Sequence, residues 1–341
     1  MNKKEEFAYL LTRYLSEYLP RQKNLSSNTI QSYRQTFSTF LIFLRDEKGI
    51  PVNKMEIKCL DSGNLTSFLA WLEDSRGNSI ATRNQRLAAF HAFARYVMFV
   101  RPDLIYECQR ILGVGFKKSD KTIVHYLSEE NMQRLLSQPN KMTRSGRRDA
   151  ALLSLLYDSA ARVQELIDLN VRDVRTSSSA VLTLTGKGRK TRQIPLMKET
   201  VKLLKQYMSE NKLNSKENMD KPLFVNHMQG CFTRPGITYI IKKYCKKAFK
   251  DGEIPFPITP HVFRHSRSMH MLHAGVNIYY IKEFLGHSDL STTENFYVRA
   301  DAEMKRKALE KVSPSVIPPT SENIPCWKQD ENLLDWLKSF S

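Results

Sequence analysis

The sequence lacks the features of membrane and secreted proteins. It has no run of roughly 18 consecutive apolar residues, the length that a membrane-spanning helix requires. Its first residues include Lys3, Lys4, Glu5 and Glu6 and no apolar stretch, so we expect no signal peptide. The five cysteines are widely spaced and form no Cys-x-x-Cys pair, which argues against a disulfide framework and a zinc ribbon. We therefore expect a cytoplasmic protein with no membrane association.

The sequence also lacks common motifs that bind nucleotides and metal ions. It has no Walker-type glycine-rich loop. His261, His265, His270 and His273 are close in sequence, but no His-Glu-x-x-His pattern or carboxylate triad accompanies them. We therefore expect no cofactor and no bound metal.

Acidic residues are outnumbered by basic ones. Asp and Glu total 35 against 53 Lys and Arg, which gives a net charge of +18. Clustered lysines and arginines bind polyanions because phosphate contacts release condensed counterions, so nucleic acid is the favoured partner. A basic protein that is merely soluble is the alternative. With 41% hydrophobic residues the chain can form a buried core, and its 341 residues suggest about two domains.

The first part of the chain, residues 1–112, is predicted to be a small all-helical domain. Apolar residues recur at helical spacing over residues 79–99, where one face carries Leu87, Phe90, Ala94 and Val97. Residues 113–125 are mostly polar and include glycines and lysines, a composition typical of a linker.

A second domain is predicted over residues 126–312. Ser128 followed by two acidic residues is typical of a helix start. Leucines and threonines alternate within residues 181–185, as apolar and polar side chains do in a strand. Residues 193–196 form a second extended run after a basic turn. Helices are predicted at roughly 146–168, 198–212, 234–249, 260–274, 277–286 and 291–311. The expected fold is mainly α with a small antiparallel β-sheet.

The last residues, 313–341, are predicted to be a tail. Several prolines are followed by a short apolar helix from Leu333 to Phe340. This helix is a candidate for docking on a neighbouring protomer, and packing on its own domain is the equal alternative.

Two patterns place positive charge on helices of the second domain. His261 and Arg264 are three residues apart, so they share one face of a helix and can hold a phosphate and move a proton. Arg162 begins an apolar helix with Glu165 one turn later, which suits a phosphate-binding arginine oriented by a carboxylate. Each pattern by itself also fits an ordinary surface pair.

Two further patterns complete the set of candidate residues. The turn between the predicted strands carries Lys187, Arg189, Lys190 and Arg192, which suits either a loop that enters a DNA groove or a solvated hairpin. Gly286 ends a predicted helix just before His287, and Tyr297 lies on the following helix, where a single tyrosine would ordinarily serve packing.

The order of these residues resembles the tyrosine recombinase (phage integrase) family, which includes the Xer-type resolvases. The resemblance covers residues 127–312 and extends more weakly to the N-terminal helical segment, which is similar to the family's core-binding domain. Ala161 stands where a glycine is usual before the first arginine. His287 and Tyr297 are ten residues apart, where many Xer-like members have nine.

The resemblance implies a role for each residue. Tyr297 is the nucleophile that forms a 3′-phosphotyrosine bond, and Lys187 is the acid that protonates the leaving 5′ oxygen. The remaining residues surround the phosphate or support it: Arg162, His261, Arg264, His287 and, in support, Glu165. The reaction needs neither ATP nor metal, because the covalent bond conserves energy and arginines supply the charge.

The resemblance also implies partners. Two domains joined by a basic linker suggest a clamp around double-stranded DNA at a specific site, and recombination implies a tetramer on two duplexes. The candidate DNA-contacting residues are Arg83, Arg86, Arg189, Lys190 and Arg192. The helical domain begins almost at residue 1, which favours a simple-site or mobile-element enzyme over large phage integrases.

Two alternatives stay open on the sequence alone. A topoisomerase that nicks and reseals DNA would need the same residues. A non-catalytic DNA-binding module would not depend on Tyr297. The biological role also stays open among an integrase, a transposon recombinase, an inversion switch and a chromosome-dimer resolvase.

Overall fold

The chain divides into two compact units, Met1–Thr122 and Ile123–Ser341. The computed structural model describes residues 3–119, 124–177, 179–186, 188 and 190–286. Within these ranges the chain is mostly helical with one three-stranded antiparallel sheet, so the predicted fold class is confirmed. Among the described helices, none is both long and apolar enough to cross a membrane.

The first unit is helical throughout its described residues. Side chains of Ser26, Asp61 and Ser79 each accept a backbone hydrogen bond at a helix start, which satisfies an otherwise unpaired N–H group. The helices are α1 (Lys3–Arg13), a π-helical segment (Tyr14–Gln22), α2 (Ser27–Lys48), α3 (Ser62–Asp74), α4 (Ile80–Val100) and α5 (Ile105–Leu112).

Helix α4 supplies much of the core of the first unit. Its predicted apolar face is confirmed, since Leu87, Phe90, Ala94 and Val97 are all at most 1% exposed. The ring of Phe90 packs edge-on against Phe40 with centroids 5.0 Å apart. Such aromatic pairs contribute about 0.5–1.5 kcal/mol beyond their buried area.

The start of the predicted linker packs on the first unit. Arg83 donates to the carbonyl of Gly115 at 3.0 Å, and Asn84 donates to the carbonyl of Lys117 at 2.7 Å and accepts from its N–H. Residues up to Lys117 therefore continue the first unit, and residues 120–123 of the linker lie outside the described residues.

In the second unit, helices pack around a small sheet. Its strands are β1 (Val174–Arg175), β2 (Val181–Thr185) and β3 (Thr191–Pro195), in the order β1-β2-β3. In the β2–β3 register Leu184 faces Arg192 and Leu182 faces Ile194. The helices are α6 (Glu129–Leu136), α7 (Arg144–Ser159), α8 (Val163–Ile167), α9 (Lys198–Glu210), α10 (Arg234–Ala248), α11 (Pro260–His273) and α12 (Ile278–Leu285).

One predicted helix is wrong in its extent. Residues 146–168 form two helices, because the chain breaks at Ala160, which has the left-handed backbone angle φ of 48°. A left-handed residue ends an α-helix, and it is disfavoured for residues with a side chain. The predicted helix at 291–311 and the apolar segment from Leu333 to Phe340 lie outside the described residues.

Candidate active site

The break between α7 and α8 places Arg162 at the start of a helix. Arg162 is the residue before α8, with extended backbone angles, and its side chain is 38% exposed. Ala161 is fully buried and has no positive φ, so an alanine where the family resemblance leads one to expect glycine carries no left-handed strain. The left-handed conformation falls on Ala160 instead.

Glu165 joins two arginines in the interior of the site. Its carboxylate is 5% exposed and accepts from Arg162 through both the backbone N–H and Nη1, each at 2.8 Å. It also accepts from Arg192 Nη1 at 3.0 Å and Nη2 at 2.7 Å. Burial raises the pKa of the Glu165 carboxyl, but hydrogen bonds from Arg192 and Arg162 outweigh burial and leave the pKa below its usual value. Glu165 is therefore charged at neutral pH.

Helix α11 carries the predicted pair of His261 and Arg264. Arg264 is buried and donates to the carbonyl of Ala160 at 2.7 Å and to the carbonyl of Leu285. His261 is exposed at the first turn of the helix. Partial desolvation, together with the charges of Arg264 and Arg162, lowers the pKa of His261. His261 is therefore neutral at physiological pH, which leaves a ring nitrogen able to accept a proton.

Three arginines bind the end of α12. Arg192 Nε donates to the carbonyl of Phe284 at 3.0 Å, Arg264 Nη2 to that of Leu285, and Arg162 Nη2 to that of Gly286 at 3.3 Å. Carbonyl groups at a helix C-terminus have no partner within the helix and carry partial negative charge. The arginines satisfy these groups and thereby fix the position of Gly286, which His287 follows in the chain.

The entry segment of the second unit anchors α11. The backbone N–H of Leu127 donates to Ser266 at 2.9 Å, and the carbonyl of Leu127 lies 2.8 Å from Nε2 of His270. The hydroxyl of Tyr157 lies 2.8 Å from Nδ1 of the same histidine. Burial lowers the pKa of His270, so the ring is neutral and its one proton bonds the carbonyl while the hydroxyl donates to the other nitrogen.

An open cavity of about 1120 Å³ lies between the β2–β3 hairpin and α12. Its lining includes Arg162, Lys190, Arg192, Tyr280 and Gly286. The structure brings four of the predicted residues together: Arg162, Glu165, His261 and Arg264. Four predicted site residues lie outside the described residues: Lys187, Arg189, His287 and Tyr297.

The described DNA-contact candidates have different environments. Lys190 is exposed, and Arg86 is half-buried with Nη1 bonded to Thr39 at 3.0 Å. Arg83 is buried against Glu73, and the side chain of Arg192 is 11% exposed. A phosphate contact by Arg83 or Arg192 would require their bonds within the protein to be exchanged.

Sequence reasoning missed the inward role of Arg192. Strand alternation carries a signal for it, since Arg192 and the buried Ile194 are two residues apart and so face the same side. The contacts of Ser266 and His270 with Leu127 were also missed, and no local pattern indicates them because they join distant segments.

Two family models match the chain. The phage integrase family matches residues 125–304, and the phage integrase N-terminal SAM-like domain matches residues 11–99. The two matched ranges fall within the second and first compact units respectively.

Individual proteins resemble the chain over most of its length. The integrase/recombinase y4rC of Sinorhizobium fredii is 32% identical, covering 99% of this chain and 100% of its own. The tyrosine recombinase XerD of Listeria innocua is 30% identical, covering 81% of this chain and 90% of its own. The Tn1549 transposon integrase, solved with transposon right end DNA, has the same fold with a TM-score of 0.67 at 17% identity, covering 89% of this chain and 99% of its own. With the arginine-rich site described above, these matches show that the chain belongs to the phage integrase family, the tyrosine recombinases that carry out site-specific DNA recombination.

Proposed function

We propose that the chain cleaves and rejoins double-stranded DNA through Tyr297, with Arg162, His261 and Arg264 around the scissile phosphate. The observation that carries the proposal is the convergence of these three residues from α11 and the α7–α8 turn. They are close enough for both arginines to lower the pKa of His261. A buried carboxylate, Glu165, orients one of the arginines.

The chemistry follows from the charge of the reacting group. The phosphodiester gathers further negative charge in its five-coordinate transition state, which donors from Arg162 and Arg264 offset. The Tyr297 hydroxyl loses its proton as its oxygen bonds to phosphorus, and neutral His261 is the acceptor that assists this loss. The bond from phosphorus to the 5′ oxygen breaks, and Lys187 supplies the proton to that oxygen. His287 completes the set of donors to the phosphate.

Rejoining reverses these steps. The 5′ hydroxyl of a partner strand attacks the 3′-phosphotyrosine bond and releases Tyr297, so the phosphodiester energy is conserved. We assign Arg86, Arg189 and Lys190 to backbone contacts with the DNA, because phosphate contacts supply most of the affinity of basic proteins for duplexes.

The assembly and location follow from the same reaction. Joining strands of two duplexes calls for a tetramer, for which the segment from Leu333 to Phe340 is a candidate docking segment, with packing on its own domain as the alternative. We place the domain boundaries at residues 1–112, 113–125, 126–312 and 313–341, with the start of the 113–125 linker packed on the first domain. We propose a cytoplasmic location, where the protein has direct access to DNA, and a mobile element as the substrate.

The test is trapping of the covalent intermediate. The protein is incubated with nicked suicide duplexes that carry sequences flanking its own coding sequence, without added metal, and denaturation-resistant adducts are measured. We expect an adduct with the wild type and none with Tyr297→Phe. Recombinant joined products separate a recombinase from a topoisomerase. Tight DNA binding without any adduct would support the non-catalytic module and contradict the proposal.

A further inference from the structure

Arg192 lies on β3 and points into the candidate active site. Its Nη1 and Nη2 donate to both oxygens of Glu165, and its Nε donates to the carbonyl of Phe284. The side chain is only 11% exposed. The guanidinium therefore connects two parts of the site, the carboxylate that holds Arg162 and the end of α12.

Arg192 determines how much positive charge Arg162 can offer to a phosphate. Glu165 bonds Arg162 and Arg192 together, so the three groups have a net charge of +1. If Arg192 were absent, Arg162 and Glu165 would form a neutral pair, and the buried carboxylate would compete with the phosphate for the guanidinium. Opposite charges in a partly buried site interact more strongly than in water, so this competition would be substantial.

Arg192 also fixes the residue before His287. Gly286 has a φ of 64°, and a Cβ atom built there would lie 3.0 Å from Arg192 Nη1. The bond from Arg192 to the Phe284 carbonyl keeps the guanidinium against this turn. Movement of Arg192 would therefore shift the start of the segment that leads to His287 and Tyr297.

We propose that Arg192 is a positioning residue for DNA cleavage. It orients Arg162 through Glu165, offsets the negative charge of Glu165, and fixes the end of α12 before His287. The inference rests on the proposed function. A lysine at this position would keep the charge but could not bond both carboxylate oxygens and the carbonyl, because only a guanidinium presents a planar fork of donors.

The experiment compares wild type with Arg192→Lys and Arg192→Met on nicked suicide duplexes at saturating DNA concentration. For Arg192→Met we expect a single-turnover cleavage rate about 100-fold below that of wild type, as for a misplaced reacting group, and a DNA affinity within about threefold of wild type. Arg192→Lys should regain part of the rate. Unchanged cleavage at saturation, with weaker DNA binding and a shallower salt dependence, would overturn the proposal in favour of a direct phosphate contact.

Arg148 provides a matched control. It too is a mostly buried arginine, 18% exposed, that bonds a buried carboxylate, Asp149, and a carbonyl, Val225. Arg148→Lys should lower thermal stability but leave the cleavage rate of folded protein unchanged. Equal losses of rate in Arg148→Lys and Arg192→Lys would mean that Arg192 acts only through stability, which contradicts the proposal.

A double-mutant cycle with Glu165→Gln tests the charge argument. If Arg192 acts by neutralising Glu165, the two changes are coupled. The fold-loss in cleavage rate of the double variant should then be at least about tenfold smaller than the product of the fold-losses of the two single variants. A double-variant fold-loss equal to that product would mean that the two residues act independently, which contradicts the charge argument. A wild-type chain that forms no adduct would instead overturn the proposed function, and the inference with it.

Discussion

Arg264 donates a hydrogen bond to the carbonyl of Ala160 at 2.7 Å, which ties α11 to the left-handed turn before Arg162. Arg264, one of the two arginines that the proposed mechanism places on the phosphate, thus supports the backbone turn that leads to the other, Arg162. Burial and the charge of Arg162 lower the pKa of Arg264, but a guanidinium stays protonated at neutral pH. In the described part of the site, the arginines are therefore held in place by bonds within the protein, which is the condition for electrostatic catalysis.

Arg264→Lys should lower both stability and cleavage. An ammonium group cannot reach the carbonyls of Ala160 and Leu285 together, so we expect a loss of about 2 kcal/mol in unfolding free energy and of at least about 100-fold in cleavage rate. Urea unfolding and suicide-substrate cleavage measure the two effects. Arg267→Lys is the control, since Arg267 is on the same helix and faces Asp158. A similar loss of cleavage in both variants would contradict a specific role for Arg264.

Ser266→Ala should destabilise the second unit. The change removes the acceptor of the Leu127 N–H and leaves that buried group without its partner, at a cost of about 1–3 kcal/mol. Ser268→Ala removes only a bond to the carbonyl of His265 within the same helix, so its effect should be smaller. Chemical denaturation of both variants checks the difference, and equal effects would argue against the anchoring of α11 by Leu127.

Gly286→Ala should reduce cleavage beyond its effect on stability. The added methyl group carries the cost of the left-handed backbone, about 1–2 kcal/mol, and also displaces Arg192. Gly49 ends α2 with a similar φ of 66° and has no atom within 4 Å of an added Cβ, so Gly49→Ala carries the backbone cost alone. We expect normal cleavage by folded Gly49→Ala. Normal cleavage by Gly286→Ala would contradict the contact with Arg192.

His265 should make the second unit less stable in mild acid. Burial, with the nearby His261 and Arg264, lowers the pKa of His265 from 6.5 to about 4. The unfolded chain therefore binds a proton more readily than the folded chain between these values. The contribution of His265 to the free energy of unfolding is therefore complete above about pH 6.5 and is lost as the pH falls towards 4. After solvent screening, this contribution is on the order of 2 kcal/mol.

The measurement is unfolding free energy against pH for wild type and His265→Gln. The variant lacks the titrating group, so its stability should fall less steeply from pH 6.5 to 4. Identical slopes in the two proteins would mean that the pKa of His265 is not lowered by folding.

Local sequence predicted those features of the described site that follow short-range rules. His261 and Arg264 share a helix face through their spacing, and Ser128 caps a helix as its residue type suggests. The break at Ala160 was not predictable in this way. An apolar stretch without proline or glycine continues a helical pattern, and the left-handed turn accepts a hydrogen bond from Arg264, which lies 104 residues away in the sequence.

The sequence by itself determined the helical pattern, the basic charge and the order of the chemical groups, since these depend on residue type and spacing. Only the tertiary structure decided that Arg192 faces Glu165 and not solvent, and that three arginines meet the end of α12. These contacts join residues up to 124 positions apart. Their geometry depends on how α8, β3, α11 and α12 pack, because side chains far apart in sequence meet only after the core between them has formed.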